Sequence, residues 1–563
     1  MNILHEEGIC RKPWRDRLPF GEGESGRRAR DSRPLFEIRS LVYRYPDGLT
    51  ALKGIDLTLL PGDRVALVGQ NGAGKTTLVK HLNGLAKPSE GVVRYKGDVL
   101  EGPHLRTARL EIGILFQDPD DQLFSNTLDE DVAFGPLNQG LRSREVEERV
   151  LSALKKVGLE QFRYRPPHFL SFGQKKRAAL ATILAMEPQV LILDEPTANL
   201  DPKQEKLFQD LISDFSGTVI CISHDLPFLY GLCHRAVVLE KGRVHHDFTM
   251  EELVASRPYL RDHGLDFTFR LSCCRDNGDP PSRDPVHTVD ALTVNFPRPS
   301  GKTEEHGKAN GPEPLITLRD YSYRYPDGTW GFRDVSLDVA TGERIAIVGE
   351  NGAGKSTLLS CLAGILEGKG EYYMEGKPVS GKVRKHLWRS IGMVFQDPTD
   401  QLFCPSCWDE VAFGPRQLGL PKSLVEARVK ESLALVRLSG FENRVPHHLS
   451  AGERKRLAIA AVLAMKPQVM ILDEPTSNLD PRSEELLCDI LQEIHTTTLL
   501  ISHDIDIISL LCDRTLVMHH GRIIRDYSTT DFIHDGHLLT LNGLDYTYKN
   551  ACCREILRLQ GGA

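Results

Sequence analysis

The chain has no apolar stretch long enough to cross a bilayer. Its longest such runs, the segment from Ala178 to Met186 and the segment from Leu457 to Met465, fall well short of the ~20 residues that a spanning helix needs. It also lacks an excess of positive charge. The formal net charge is −7, so no global basic field directs it toward nucleic acid, and no nucleic-acid partner is expected. The first residues, MNILHEEGICRKPWRDRLPF, have no apolar core of the signal-peptide kind. The 12 cysteines are scattered or sit as Cys273-Cys274, Cys404/Cys407 and Cys552-Cys553, which is not the spacing of a secreted disulfide framework. A reducing cytosol is the expectation. If such a protein serves a membrane, it does so peripherally, from the cytoplasmic face, through partners.

What is present is ordinary in bulk and unusual in arrangement. Hydrophobic residues make up 40% and charged residues 26% of 563 residues, a globular composition with room for two large domains. The chain is a duplication. PLFEIRSLVYRYPDG at Pro34 returns as PLITLRDYSYRYPDG at Pro314, and VGQNGAGKTTL at Val68 returns as VGENGAGKSTL at Val348. FQDPDDQLF at Phe116 returns at Phe395 with one change, and LILDEPTANLDP at Leu191 returns as MILDEPTSNLDP at Met470. The ends match too, in GLDFTFRLSCCR at Gly264 and GLDYTYKNACCR at Gly543. The expected organisation is a disordered Arg/Gly-rich tail over 1–33, a first domain over 34–275, a Pro/Gly-rich flexible linker over 276–313 and a second domain over 314–563. Short apolar strands at Arg64–Val68 and Val190–Leu193, and their copies, alternate with helical periodicity at Arg144–Val157 and Ser423–Val436. That alternation predicts α/β domains.

Two motifs in each copy carry chemistry. Gly69-Gln70-Asn71-Gly72-Ala73-Gly74-Lys75-Thr76, and the copy from Gly349 to Ser356, fit the P-loop pattern. Its glycines let backbone N–H groups wrap an anion, and the helix that follows adds its positive N-terminal dipole. Lys75 and Lys355 are placed for the β- and γ-phosphates of a nucleotide, and the hydroxyls of Thr76 and Ser356 for magnesium. The phosphate-binding set is Gly69, Asn71, Gly72, Gly74, Lys75, Thr76 and Thr77, with Gly349, Asn351, Gly352, Gly354, Lys355, Ser356 and Thr357. In the second motif an apolar strand ends in two acids, Asp194-Glu195 and Asp473-Glu474. A buried strand that ends in carboxylates brings the aspartate to the metal and the glutamate to the attacking water, as general base.

These residues make the sequence resemble the ATP-binding-cassette family. Leu170-Ser171-Phe172-Gly173-Gln174 and Leu449-Ser450-Ala451-Gly452-Glu453 are similar to the family signature LSGGQ, with Glu453 departing from the usual glutamine. The resemblance extends to glutamine loops at Gln117 and Gln396, D-loops at Asn199-Leu200-Asp201 and Asn478-Leu479-Asp480, and switch histidines His224 and His503. Tyr45 and Tyr325 match the residue that stacks on adenine, although Tyr43 and Tyr323, two residues away, leave open which is the core residue. The resemblance implies two tandem P-loop NTPase domains, each with a RecA-like core, an antiparallel β subdomain and a helical signature subdomain. It further implies ATP and Mg2+ as ligands, with Thr76, Gln117 and Asp194, and Ser356, Gln396 and Asp473, around the metal. It also implies an intramolecular head-to-tail pairing with two hydrolytic sites. Site one would set Tyr45, Lys75, Thr76, Gln117, Asp194, Glu195 and His224 against Ser450, Gly452 and Glu453. Site two would set Tyr325, Lys355, Ser356, Gln396, Asp473, Glu474 and His503 against Ser171, Gly173 and Gln174.

The stretch after each glutamine loop, QDPDDQLF then DEDVAFGPLNQGL, and QDPTDQLF then DEVAFGPRQLGL, closely resembles the ATPases of energy-coupling-factor importers, the cobalt and nickel types included. That resemblance implies two membrane partners, a helical integral-membrane scaffold subunit and a separate substrate-binding subunit. The cargo would be a vitamin or a transition-metal ion. Asp118, Asp120, Asp121, Glu130 and Asp131 would form an acidic rim for arginines of the scaffold, and Phe124 and Phe134 hydrophobic anchors. The alternative is a soluble tandem cassette that acts on ribosomes. It would carry cluster-binding cysteines near the N-terminus or a long basic helical linker, and neither is seen. Adjacent cysteine pairs lack zinc spacing, so packing is expected of them rather than metal binding. The Cys404-Pro-Ser-Cys407 spacing has no counterpart in the first copy, where Ser125 and Leu128 stand, and no core role is expected of it.

Overall fold

The computed structural model describes residues 33–262 and 314–534, apart from Asp47 and Asn199, together with 556, 558 and 559. The expected tail, the linker over 276–313, the matched ends at Gly264 and Gly543, and Cys10, Cys273, Cys274, Cys552 and Cys553 lie outside the described residues.

Each module holds a six-stranded sheet. In the first its order is Arg243–Thr249, Arg235–Glu240, Arg64–Val68, Thr218–Ile222, Val190–Asp194 and Ile112–Leu115. The five strands from Arg235–Glu240 onward run parallel, and Arg243–Thr249 closes the edge antiparallel. The second module repeats the order with Arg522–Ser528, Arg514–His519, Arg344–Val348, Thr497–Ile501, Val469–Asp473 and Ile391–Val394. A four-stranded antiparallel sheet sits beside each. It is built on Phe36–Arg44, between Thr50–Leu59 and Glu90–Tyr95, in the first module, and on Ile316–Arg324 in the second.

The inner strands of the large sheet are mostly apolar because both faces are covered, whereas the edge strand Arg243–Thr249 is polar and alternately exposed. Val65, Leu67, Val190 and Ile192 belong to a core shared with the small sheet and the helix Lys75–Leu82. Their neighbours Ala66, Val68, Leu191 and Leu193 face a second core, which includes Val150, Leu154, Ala179 and Leu180 from the helices Ser143–Lys156 and Phe172–Leu184. A period of two thus distributes side chains to two apolar layers, not to one apolar layer and one wet face. The expected helices fall within a residue of Ser143–Lys156 and Lys422–Leu435.

This topology positions the chemistry. The strands Arg64–Val68, Val190–Asp194 and Thr218–Ile222 end side by side at one edge of the sheet. The P-loop, the acidic pair and the switch histidine all follow those ends, where open α/β sheets form their crevice.

A phosphate cradle and a buried carboxylate in each module

The two P-loops take the same shape. Gly69 and Gly349 hold φ of 145° and 151°, and a Cβ at either would collide with the backbone carbonyl of Leu239 or Met518. Gly74 and Gly354 sit left-handed at the N-caps of the helices Lys75–Leu82 and Lys355–Leu362, with no side-chain cap. The first helical N–H groups therefore point into the loop without internal partners, as an anion cradle requires. Lys75 Nζ donates to the carbonyls of Gly69 at 2.6 Å and Gln70 at 3.0 Å. Lys355 does the same toward Gly349 and Glu350 at 2.7 and 3.1 Å. Burial depresses both ammonium pKa values, and nearby carboxylates oppose that effect.

Asp194 and Asp473 are buried and accept hydrogen bonds from Thr76 and Ser356, and burial raises their pKa. A buried carboxylate beside a hydroxyl is an all-oxygen donor set of the kind that suits magnesium. Gln117 and Gln396 follow the adjacent edge strands and are solvent-exposed.

Glu195 and Glu474 are the most unusual residues of the site. Both have left-handed backbones, with φ of 48° and 47°. Burial is the main cause that raises their carboxyl pKa. Each Oε1 is buried and accepts no hydrogen bond. It faces the switch histidine instead, at 3.4 Å for Glu195 and His224 Nε2 and 3.5 Å for Glu474 and His503 Nε2. The His224 ring also lies 3.0 Å from Asn71 Oδ1. Burial holds the His503 imidazole neutral, with its pKa down to about 3. A left-handed non-glycine residue costs about 1–3 kcal/mol and persists only where its surroundings over-determine it.

The tyrosine alternatives separate by position. Tyr43 and Tyr323 pack against the small-sheet cores. Tyr45 and Tyr325 lie just past the strand ends and reach the helix after the P-loop, with hydroxyls 3.0 and 2.8 Å from Thr77 and Thr357. The signature residues form helix starts. Ser171 and Ser450 are N-caps, and the side chains of Gln174 and Glu453 turn back to the N–H groups of Ser171 and Ser450 at 2.9 and 2.7 Å. Glutamine and glutamate complete this capping box equally well, which accounts for the departure at Glu453.

The D-loop aspartates cap the helices that begin at Pro202 and Pro481. Each also lies within electrostatic reach of the P-loop lysine of the other module, Asp480 of Lys75 and Asp201 of Lys355. Lys203 Nζ lies 3.5 Å from Glu350 of the second P-loop.

Two features of the structure depart from what the motifs predict. Lys176 and Lys455, in the signature helices, are buried and donate to the backbone carbonyls of Glu195 and Glu474 at 2.6 and 3.0 Å. The only sequence signal was a charged residue on the buried face of an apolar helix. The structure corrects the acidic rim at one member, Asp131, and ties two others into local contacts. Asp131 is buried and accepts the N–H groups of Phe124 and Ser125, Asp120 is paired with Lys175 at 2.6 Å, and Asp118 caps the short turn at Pro119. Three of the five acids are thus occupied in holding the loop's own shape. Asp118, Asp120, Asp121 and Glu130 stay exposed, and beside them the loop presents aromatic side chains. Phe124 and Phe134 are exposed and pack edge to face at 5.1 Å, and Phe403 and Phe413 repeat the pair at 5.0 Å.

Comparison with known proteins agrees with this architecture. The ABC transporter family model matches residues 52–198 and 332–477. A protein of Methanosarcina acetivorans assigned as an ABC transporter ATP-binding protein is 34% identical over 535 residues, covering 89% of this chain and 87% of its own. A Streptomyces avermitilis protein of the same description is 47% identical over 238 residues, covering 42% of this chain and 91% of its own. The solved structure of cbiO1 from Clostridium perfringens, described as part of the ABC transporter complex cbiONQ, is 39% identical and covers 42% of this chain and 97% of its own. At a TM-score of 0.38 that likeness carries no structural argument. The chain belongs to the ABC transporter family, as an ATPase subunit with two ATP-binding-cassette domains in tandem.

Proposed function

We propose that the protein is the energy-coupling ATPase of an importer of the energy-coupling-factor type, bound peripherally at the cytoplasmic face of a membrane. Its modules pair head to tail around two ATP sites. The observation that carries the pairing is the Lys203–Glu350 ion pair between the modules, with Asp201 within electrostatic reach of Lys355 and Asp480 of Lys75. A D-loop that meets the opposite P-loop leaves the adjoining signature helix facing the same nucleotide. Tyr45 and Tyr325 offer a face for adenine. The P-loop N–H groups and Lys75 or Lys355 take the phosphates. Ser171 and Gly173, or Ser450 and Gly452, close the site from the other module.

Magnesium held by Thr76, Gln117 and Asp194, or by Ser356, Gln396 and Asp473, would neutralise charge on the β- and γ-phosphates. The glutamates act beside it. Glu195 and Glu474 each have a buried carboxylate oxygen without a hydrogen bond, free to accept a proton from the attacking water. His224 and His503, beside those oxygens, orient the carboxylate. ATP binding draws the modules together, and hydrolysis lets them separate.

The importer reading is supported by the duplicated aromatic pairs, Phe124 with Phe134 and Phe403 with Phe413. Two exposed edge-to-face pairs at matching positions suit two coupling helices of one scaffold subunit. The cargo is expected to be a vitamin or a transition-metal ion carried by a separate membrane subunit. Affinity purification of the full chain from its own cells tests this. Recovery of hydrophobic membrane proteins supports the importer, and recovery of ribosomes with no membrane protein overturns it.

A further inference from the structure

We propose that Lys176 and Lys455 are positioning residues, each holding from the signature helix the peptide carbonyl of its own module's glutamate and so fixing the left-handed turn that aims the carboxylate. The lysines are 0% and 5% exposed, and a buried ammonium persists only when it is paired or hydrogen-bonded. Lys176 Nζ donates to the Glu195 carbonyl at 2.6 Å. Lys455 Nζ donates to the Glu474 carbonyl at 3.0 Å, and to the carbonyl and hydroxyl of Ser477 at 2.7 and 2.9 Å.

The other end of each glutamate's backbone is held too. The N–H of Glu195 donates to the Ile222 carbonyl at 2.9 Å, and that of Glu474 to the Ile501 carbonyl at 3.0 Å. The sheet therefore fixes the N–H and the signature helix fixes the C=O. Between these two anchors lies a residue whose φ no ordinary side chain prefers. Two anchors on successive backbone groups are what holds such a conformation. The charge fits as well. Lys176 faces Glu195, Asp194 and Asp118, and Lys455 faces Glu474, Asp397, Glu484 and Asp473.

The consequence crosses the molecule, and this part rests on the head-to-tail reading. Ser171 and Gly173 precede Lys176 by one helical turn or so and serve site two, whereas Glu195 serves site one. A shift of the signature helix as ATP enters site two is passed through Lys176 to the general base of site one. Lys455 does the converse.

The test uses the full chain with Lys176→Met, Lys455→Met, Lys176→Gln and Lys455→Gln. Methionine keeps the length and removes the donor, and glutamine keeps a donor without the charge. Each methionine variant is expected to lower kcat for ATP at least about tenfold with KM within about twofold, since the lysine touches no nucleotide. The glutamine variants are expected to recover part of that loss. Amide exchange of the nucleotide-free protein should quicken at residues 195–198 or 474–477 while the helices Phe172–Leu184 and Ala451–Leu463 keep their protection. An unchanged kcat, or a loss of kcat accompanied by weaker ATP binding and exchange throughout the module, overturns the proposal. Ser450→Arg and Ser171→Arg, measured alongside, judge the pairing separately. If they leave turnover intact, the cross-site part fails with the pairing, while the local result at Lys176 and Lys455 stands on its own.

Discussion

The two modules share a backbone plan, and they differ at the rims of their P-loops and in their signature segments. The second P-loop carries Glu350 where the first carries Gln70, and the helix facing it supplies Lys203, 3.5 Å away. The first P-loop has no carboxylate at that position to meet Arg482, the counterpart of Lys203. The signature of the second module ends in Glu453, that of the first in Gln174. Lys455 makes three hydrogen bonds around its glutamate's turn. The proposed catalytic parts, by contrast, are matched: lysine, hydroxyl, aspartate, glutamate and histidine stand in both modules. Duplication has kept the chemistry equal and let the rim of each site drift. On the proposed head-to-tail pairing, that asymmetry bears on how firmly each site closes rather than on whether it hydrolyses.

That comparison breaks most visibly at the glutamates. Glu195→Gln and Glu474→Gln are each expected to lower steady-state phosphate release by about 100-fold or more, the scale of a lost general base. A large loss in one variant alone would make one module regulatory. The next effect concerns docking. Replacing Phe124 and Phe134 together by alanine, or Phe403 and Phe413 together, is expected to weaken binding to the membrane scaffold by about 30-fold or more, as for buried aromatic anchors. ATP turnover of the free protein should stay unchanged. Pull-down with each double variant shows whether the two modules contribute equally to docking.

The asymmetric ion pair is expected to matter less. Lys203 is 68% exposed and Glu350 32%, and exposed pairs contribute about 0.2–1 kcal/mol. Lys203→Glu should raise the KM for ATP a few-fold at low salt, with the effect fading as salt rises. Lys203→Glu combined with Glu350→Lys should restore it. Smallest of all is Glu453→Gln. Both residues complete the capping box, so the melting temperature is expected to stay within about a degree, as for a near-neutral surface change. A larger drop would mean that the carboxylate has a task beyond the cap.

Much of this protein was legible from its residues. Both P-loops, both acidic strand ends and both switch histidines occur where motif and periodicity placed them, because a glycine pattern and a doubly buried strand leave little choice of backbone. Tyr43 and Tyr45 could not be separated on paper, because two residues' spacing puts both on one face. Only the end of the strand at Arg44 divides the packed ring from the one at the mouth. The acids after the glutamine loop looked like one surface. Their division into a buried Asp131, a paired Asp120 and a capping Asp118 depends on how the loop folds onto its own N–H groups.

By itself the sequence determined the duplication, the α/β class and the candidate reacting groups, because these depend on short-range patterns that the backbone must obey. Only the tertiary structure decided that a lysine from the signature helix reaches the glutamate's carbonyl, and that an aspartate of one module lies near the lysine of the other. Those contacts join segments far apart in the chain. Their reason is spatial, since a buried charge or carbonyl must find its partner wherever packing brings one within reach.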